Sequence, residues 1–219
     1  LVMIGTGILW FGWFGFNAGS ALAANGQAVQ AFMNTFLAAA AAGLAWIVVE
    51  WLRDGHPTNL GAASGIVAGL VAITPAAGYV SGMSPILIGA IAGVVCCYAV
   101  KLKTKAGYDD ALDVVGVHLV GGLVGSVLIG FFANPEFFGL TDDGGLKFME
   151  GIFYGGNAEL LIEQIIANGA AIAWSFPITF AIMMALKKTI GVRVSAEEES
   201  TGLDLALHSE TAYHSGGLG

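Results

Sequence analysis

Basic residues are scarce in this chain: eight lysines and arginines are spread over 219 positions, against sixteen aspartates and glutamates. They gather into no positive face, which excludes nucleic acid as a partner. Cysteine is nearly absent. The two present, Cys96 and Cys97, are neighbours within an apolar run, read as small apolar fillers with no message about redox compartment. Metal-ligand spacings, phosphate-cradling glycine loops and nucleophile constellations are missing too, so the sequence supports neither an enzyme nor a metal or cofactor. His56, His208 and His214 stand in polar surroundings and are read as solvated. Charged residues of both signs make up only 11% of the chain, too few for the surface of an ordinary soluble globule.

Apolar side chains fill the rest. Hydrophobic residues account for 56% of the chain, and the mean hydropathy is +0.78. Runs long enough to cross a bilayer, about 20 residues each, fall at 1–24, 28–52, 60–80, 85–101, 113–133 and 163–187. Backbone groups inside lipid must bond within their own segment, so these runs predict six transmembrane helices in an all-α, polytopic membrane bundle. The first run lacks a basic n-region and a cleavage site and is expected to be a span rather than a signal peptide. Residues 1–190 form the expected transmembrane domain and 191–219 a polar tail, with a short amphipathic piece around 203–207.

Orientation follows from the few cations. Arg53, then Lys101, Lys103 and Lys105, then Lys187, Lys188 and Arg193 flank alternate connections, whereas Lys147 lies opposite, in a loop with Glu136, Asp142, Asp143, Glu150 and Glu159. The positive-inside rule then places the basic connections and the C-terminus in the cytoplasm, in a cell membrane. Glycines at 61, 65 and 69 in the third run, and at 89 and 93 in the fourth, predict close helix packing. Gln30, Asn34 and Thr35 are expected to bond to neighbouring helices, and Pro177 to bend the sixth.

One titratable ring lies deep within a run. His118 is five residues past Asp113, and a histidine at that depth marks an ion or proton path by default. Neutral imidazole offers one donor and one acceptor, enough to hand on a small polar molecule or take up a proton. A continuous relay needs a second polar group, and the other five runs contain no histidine. His118 therefore works alone, has its partner outside this chain, or is a core histidine bonded to a carbonyl. Asp109, Asp110 and Asp113 precede the run, where carboxylates cap free amides; Asp113 is assigned as a structural cap. In the first run Trp13, Phe16 and Ser20 are spaced by three and four and share a helix face. They can line a path together, or be lipid-facing aromatics beside a serine bonded back to its own helix.

Four stretches taken together carry a resemblance. GWFGFNAGSA at 12–21, PTNLGAASGIVAGLVAITPAAGYV at 57–80, DVVGVHLVGGLVG at 113–125 and RVSAEEESTGLDLALHSETAY at 193–213 resemble the ammonium transporters of the Amt/MEP/Rh family, the bacterial Amt members in particular. The resemblance implies an eleven-helix homotrimer with a pore in each subunit between two inverted repeats. The six runs resemble helices six to eleven, so the chain is expected to be the C-terminal half of a longer transporter. It further implies that Phe16 is one of two gating phenylalanines, that Ser20 accepts a hydrogen bond from ammonium at an outer recruitment site, and that His118 is the second of twin pore histidines. Val114 then belongs to the inner pore wall, and Trp13 lies next to the pore. Implied partners are ammonium or ammonia, with methylammonium as analogue, membrane lipid, and a PII-type signal protein at the cytoplasmic face. An ammonium sensor signalling through its tail is the alternative.

Overall fold

The computed structural model describes residues 1–138 and 148–211. Asp142, Asp143 and Lys147 of the long loop, and Tyr213 and His214 of the tail, lie outside the described residues. Those described form two compact units, divided between Gly169 and Ala170.

The first unit is a helix bundle. α1 is Val2–Gly19, α2 Gly26–Asp54, α3 Asn59–Ile73, α4 Ser84–Ala99 and α5 Leu102–Ala106. A π-helical segment, Val114–Leu119, leads directly into α6, Val120–Phe132. Single turns of 3₁₀ helix at Pro135–Phe138 and Ile152–Tyr154 precede α7, Glu159–Thr189, which runs through Pro177. Among the described residues there is no strand, only a bridge between Val80 and Ala133. The helix ends carry their local reasons. The Asn25 side chain accepts from the Ala28 amide at 3.0 Å to start α2, and Gly55, with a left-handed backbone, ends it. Thr58 caps α3 by accepting from the Gly61 amide at 2.8 Å.

α2 packs on both α3 and α4, with α1 against α2 and α3, and α6 against α3 and α4. The core is built of small residues: Ala38, Ala42, Ala68, Ala72 and Ala92 are fully buried. The glycine ladders are what let the backbones meet. A Cβ at Gly69 would stand 2.5 Å from the Ala38 carbonyl oxygen, and one at Gly65 would stand 2.6 Å from Trp46 Cβ. Gly89 and Gly93 of α4 abut the Ala38 and Ala42 carbonyls from the other side. Without a hydrophobic driving force between helices in lipid, close backbone contact supplies the dispersion that holds them.

Each of the six apolar runs carries a helix, and among the described residues four helical stretches are long and apolar enough to span a membrane: Gly26–Asp54, Ser84–Ala106 (α4 continued by α5), Val114–Phe132 (the π-helical segment with α6) and Glu159–Thr189. α1, expected over 1–24, stops at Gly19, and α3, expected over 60–80, stops at Ile73. Pro75 is the reason in α3, because it has no N–H with which to continue the helix ladder; Thr74 before it still has helical backbone. The run continues as buried turns, with Ala76, Ala77 and Val80 almost fully enclosed. Their carbonyls need donors. Asn34 Nδ2 donates to Ala77 O at 2.9 Å and Val80 O at 2.6 Å, and Gln27 Nε2 to Gly78 O at 3.2 Å. Asn34 thus takes the structural role expected of it. Arg53 and Lys101 meet at one end of the bundle, both beside Asp54.

In the second unit the remainder of α7 is followed by α8, Ala196–Thr201, and α9, Leu203–His208. Ser195 starts α8 with a capping box: its hydroxyl accepts from the Glu198 amide, and the Glu198 carboxylate accepts from the Ser195 amide at 2.9 Å. Hydrogen bonding to Ser195 holds the Glu198 carboxyl below the usual carboxylate range. Arg193 pairs with Glu199 at 2.9 Å.

Candidate functional site

Trp13, Phe16 and Ser20 follow one another along α1, and the structure fixes each differently. The Trp13 indole N–H donates to Thr74 Oγ1 at 2.8 Å. Phe16 is 63% exposed, and its ring lies 5.6 Å from that of Trp13 at a tilt of 60°. The Ser20 hydroxyl donates to the Phe16 carbonyl at 2.8 Å, the bond back to its own helix that a membrane serine usually makes. Spending its only proton there leaves the oxygen as a pure acceptor.

Phe16 and Ser20 border a cavity of about 220 Å³ shared with Asn17, Gln27, Thr74 and Gly78. Asn17 is the residue that sequence reasoning passed over. It is 7% exposed, its Nδ2 donates to Thr35 Oγ1 at 2.9 Å, and Thr35 Oγ1 donates to Ala31 O at 2.6 Å. Because the threonine proton is committed, Thr35 can only accept from Asn17. The amide is thereby oriented, and Asn17 Oδ1 is left buried without a hydrogen-bond partner among the described residues. An unpaired buried acceptor is costly, and this one belongs to a residue that borders the cavity. The signal available in the sequence was an asparagine one residue past Phe16 in an otherwise apolar and aromatic run.

His118 stands elsewhere, in the π-helical segment with Val114. Both are exposed in this chain, Val114 by 50%. Neither lines the cavity beside Phe16 and Ser20. Asp113 does not cap this segment with its side chain. It occupies the N-cap position, but its left-handed backbone (φ 56°) carries no capping side-chain bond, and the carboxylate pairs with Lys103 Nζ at 2.6 Å. Asp110 takes over, accepting from the Val114 and Val115 amides, each at 2.9 Å. Three residues further back than Asp113, Asp110 sets its carboxylate against the free amides of the segment.

The profile of the Ammonium Transporter Family matches residues 1–213. This chain belongs to the ammonium transporter family. It is 51% identical over 212 residues to the ammonium transporter of Mycobacterium tuberculosis, covering 97% of this chain and 44% of that protein. Against the ammonium transporter of Aquifex aeolicus the identity is 53% over 215 residues, covering 98% of this chain and 48% of that protein. The crystal structure of Saccharomyces cerevisiae Mep2 superposes with a TM-score of 0.81 at 38% identity, over 89% of this chain and 43% of Mep2. A structure titled Sensor Amt Protein gives 0.80 at 32% identity, over 94% of this chain and 48% of that one. The chain spans about half the length of the ammonium transporters it matches. Family membership and the apolar helices make it a membrane protein, all-α, with the helix packing of the ammonium transporter fold. Both bacterial relatives are named as transporters.

Proposed function

We propose that this chain supplies the C-terminal half of an ammonium-conducting pore, with residues 1–190 in the membrane and 191–219 as a cytoplasmic tail. The observation that carries the reading is the Ser20 hydroxyl, its proton spent on the Phe16 carbonyl and its oxygen left to accept, on a cavity bordered by the Phe16 ring. Ammonium is all donor: it has N–H bonds in every direction and no lone pair. Bare acceptors and an aromatic face recognise it, the latter through cation–π attraction. Potassium has the charge but no directed hydrogens.

In this reading ammonium is recruited at the α1 cavity and gives up its proton, which is left behind on water at the outer mouth or relayed, and ammonia passes Phe16 and then His118 and Val114. A dry bore penalises any ion that cannot shed its charge. Trp13 steadies Phe16. His118 and Val114 are exposed in the isolated chain because the rest of the transporter faces them. The subunit assembles as a homotrimer, and the tail contacts a PII-type signal protein.

The test is methylammonium uptake into proteoliposomes holding the full-length transporter, with membrane current recorded alongside. Uptake is expected to saturate and to resist excess potassium. Ser20→Ala raises KM about tenfold, the loss of one charge-assisted hydrogen bond, and His118→Ala changes the rate or the potassium resistance. The likeness to the Sensor Amt Protein favours a second reading, a sensor signalling through the tail. Assembled protein that binds methylammonium but carries none points to it.

A further inference from the structure

The π-helical segment is held at both ends. At its start, Lys103 Nζ contacts Asp113 Oδ1 at 2.6 Å and donates to the Asp110 carbonyl at 2.9 Å, while the Asp110 carboxylate takes the Val114 and Val115 amides. Two residues on, Gly116 lies against Val100: a Cβ there would stand 2.8 Å from both the Val100 Cα and N. Beyond it, α6 is fixed by Gly125 against the Ala72 carbonyl and by Ser126, which donates to Gln164 Oε1 at 2.8 Å. His118 sits between these anchors.

A π-helical stretch carries one residue more than an α-helix of the same length, and such insertions recur at functional sites. Expelling the extra residue would turn one side of the segment by about 100° relative to the other, the rotation per residue of an α-helix. With α6 locked at Gly125 and Ser126, the slack can leave only toward the loop, through Asp113. That exit is barred by the Asp110 carboxylate on the Val114 and Val115 amides and by Lys103, whose side chain is partly buried and bridges Asp113 and the Asp110 carbonyl.

We propose that Lys103 is a positioning residue for His118: by clamping Asp113 and the Asp110 carbonyl it holds the π-helical register in which the imidazole is presented. The proposal rests on the reading of His118 as a pore residue. Lys103 itself touches no substrate.

A double-mutant cycle in the full-length transporter tests this. Lys103→Met keeps the stem and loses the charge. It is expected to lower the methylammonium uptake rate per assembled molecule about tenfold, the scale of a small misplacement, with KM unchanged, because KM is set at the α1 cavity. Lys103→Arg restores the rate, and in a His118→Ala background Lys103→Met has no further effect. A second readout needs no transport: in a His118→Cys variant, adding Lys103→Met alters the alkylation rate of that cysteine by a permeant maleimide about threefold or more, while a Ser20→Cys site is unaffected. Equal loss in both backgrounds, an unchanged alkylation rate, or a lower melting temperature with the per-molecule rate intact overturns the proposal. Should Lys103→Met fail to assemble, Asp113→Asn breaks the same clamp and enters the same cycle. Wild-type protein without saturable uptake, or His118→Ala indistinguishable from it, removes the pore reading and the proposal with it.

Discussion

Trp13 Nε1 reaches across to Thr74 Oγ1 at 2.8 Å, joining α1 to the residue that ends α3. Thr74 passes its own proton to the Leu70 carbonyl at 2.7 Å, so the contact is a relay from ring to hydroxyl to helix end. Trp13→Phe removes the donor and keeps most of the ring. Since Thr74 borders the cavity and can take a water instead, the cost is expected near the lower end for a hydrogen bond, about 1 kcal/mol. A larger drop in thermal stability in detergent would mean that the indole packing, not the bond, holds α1.

Asn34 predicts a heavier penalty. It is fully buried and serves two turn carbonyls at once. Asn34→Ala strands both where water is scarce, at about 1–3 kcal/mol each. Asn34→Leu, with the same branching and greater bulk, leaves the same carbonyls bare and is expected to be no better. Unfolding in graded denaturant measures both, and recovery in the leucine variant would assign the effect to a cavity.

The helix ladders separate two glycines that look alike in the sequence. Alanine at Gly69 drives its methyl to 2.5 Å from the Ala38 carbonyl oxygen, whereas at Gly121 the nearest atom, Val71 Cγ1, is an ordinary 3.4 Å away. Gly69→Ala is expected to destabilise by about 1–3 kcal/mol through overpacking, and Gly121→Ala to be nearly neutral. Melting temperatures of the two single variants make the comparison.

At low pH, α8 should loosen before the rest. The Glu198 carboxyl is held below its ordinary value by Ser195, so its contribution is complete above the ordinary glutamate range, about pH 4.3, and fades as pH falls through the depressed value. Amide exchange protection at residues 198–201, corrected for intrinsic rate, is expected to fall over that window. Glu198→Gln flattens the response, and an unchanged slope in that variant would place the titration elsewhere.

Much of this was readable in advance. Runs of apolar residues cannot leave their amides bare in lipid, so they declared helices, and the spacing of Gly61, Gly65 and Gly69 declared a tight interface. The end of α3 was missed although Pro75 marks it, because the run stays apolar at Ala76, Ala77 and Val80 after the helix has stopped; those residues are buried as turns, which a hydropathy window cannot tell from helix. Asn17 was overlooked for a related reason. Its significance depends on where Thr35 sends its proton, eighteen residues away in sequence.

The sequence by itself determined membrane residence, helical class and family, since each follows from composition and from long ordered motifs that no packing can alter. Only the tertiary structure decided which of three aspartates caps the histidine segment, that the Asn17 oxygen is buried without a partner, and that His118 rides on a π-turn. These are questions of which donor meets which acceptor, and hydrogen-bond partners are assigned by folding, not by order along the chain.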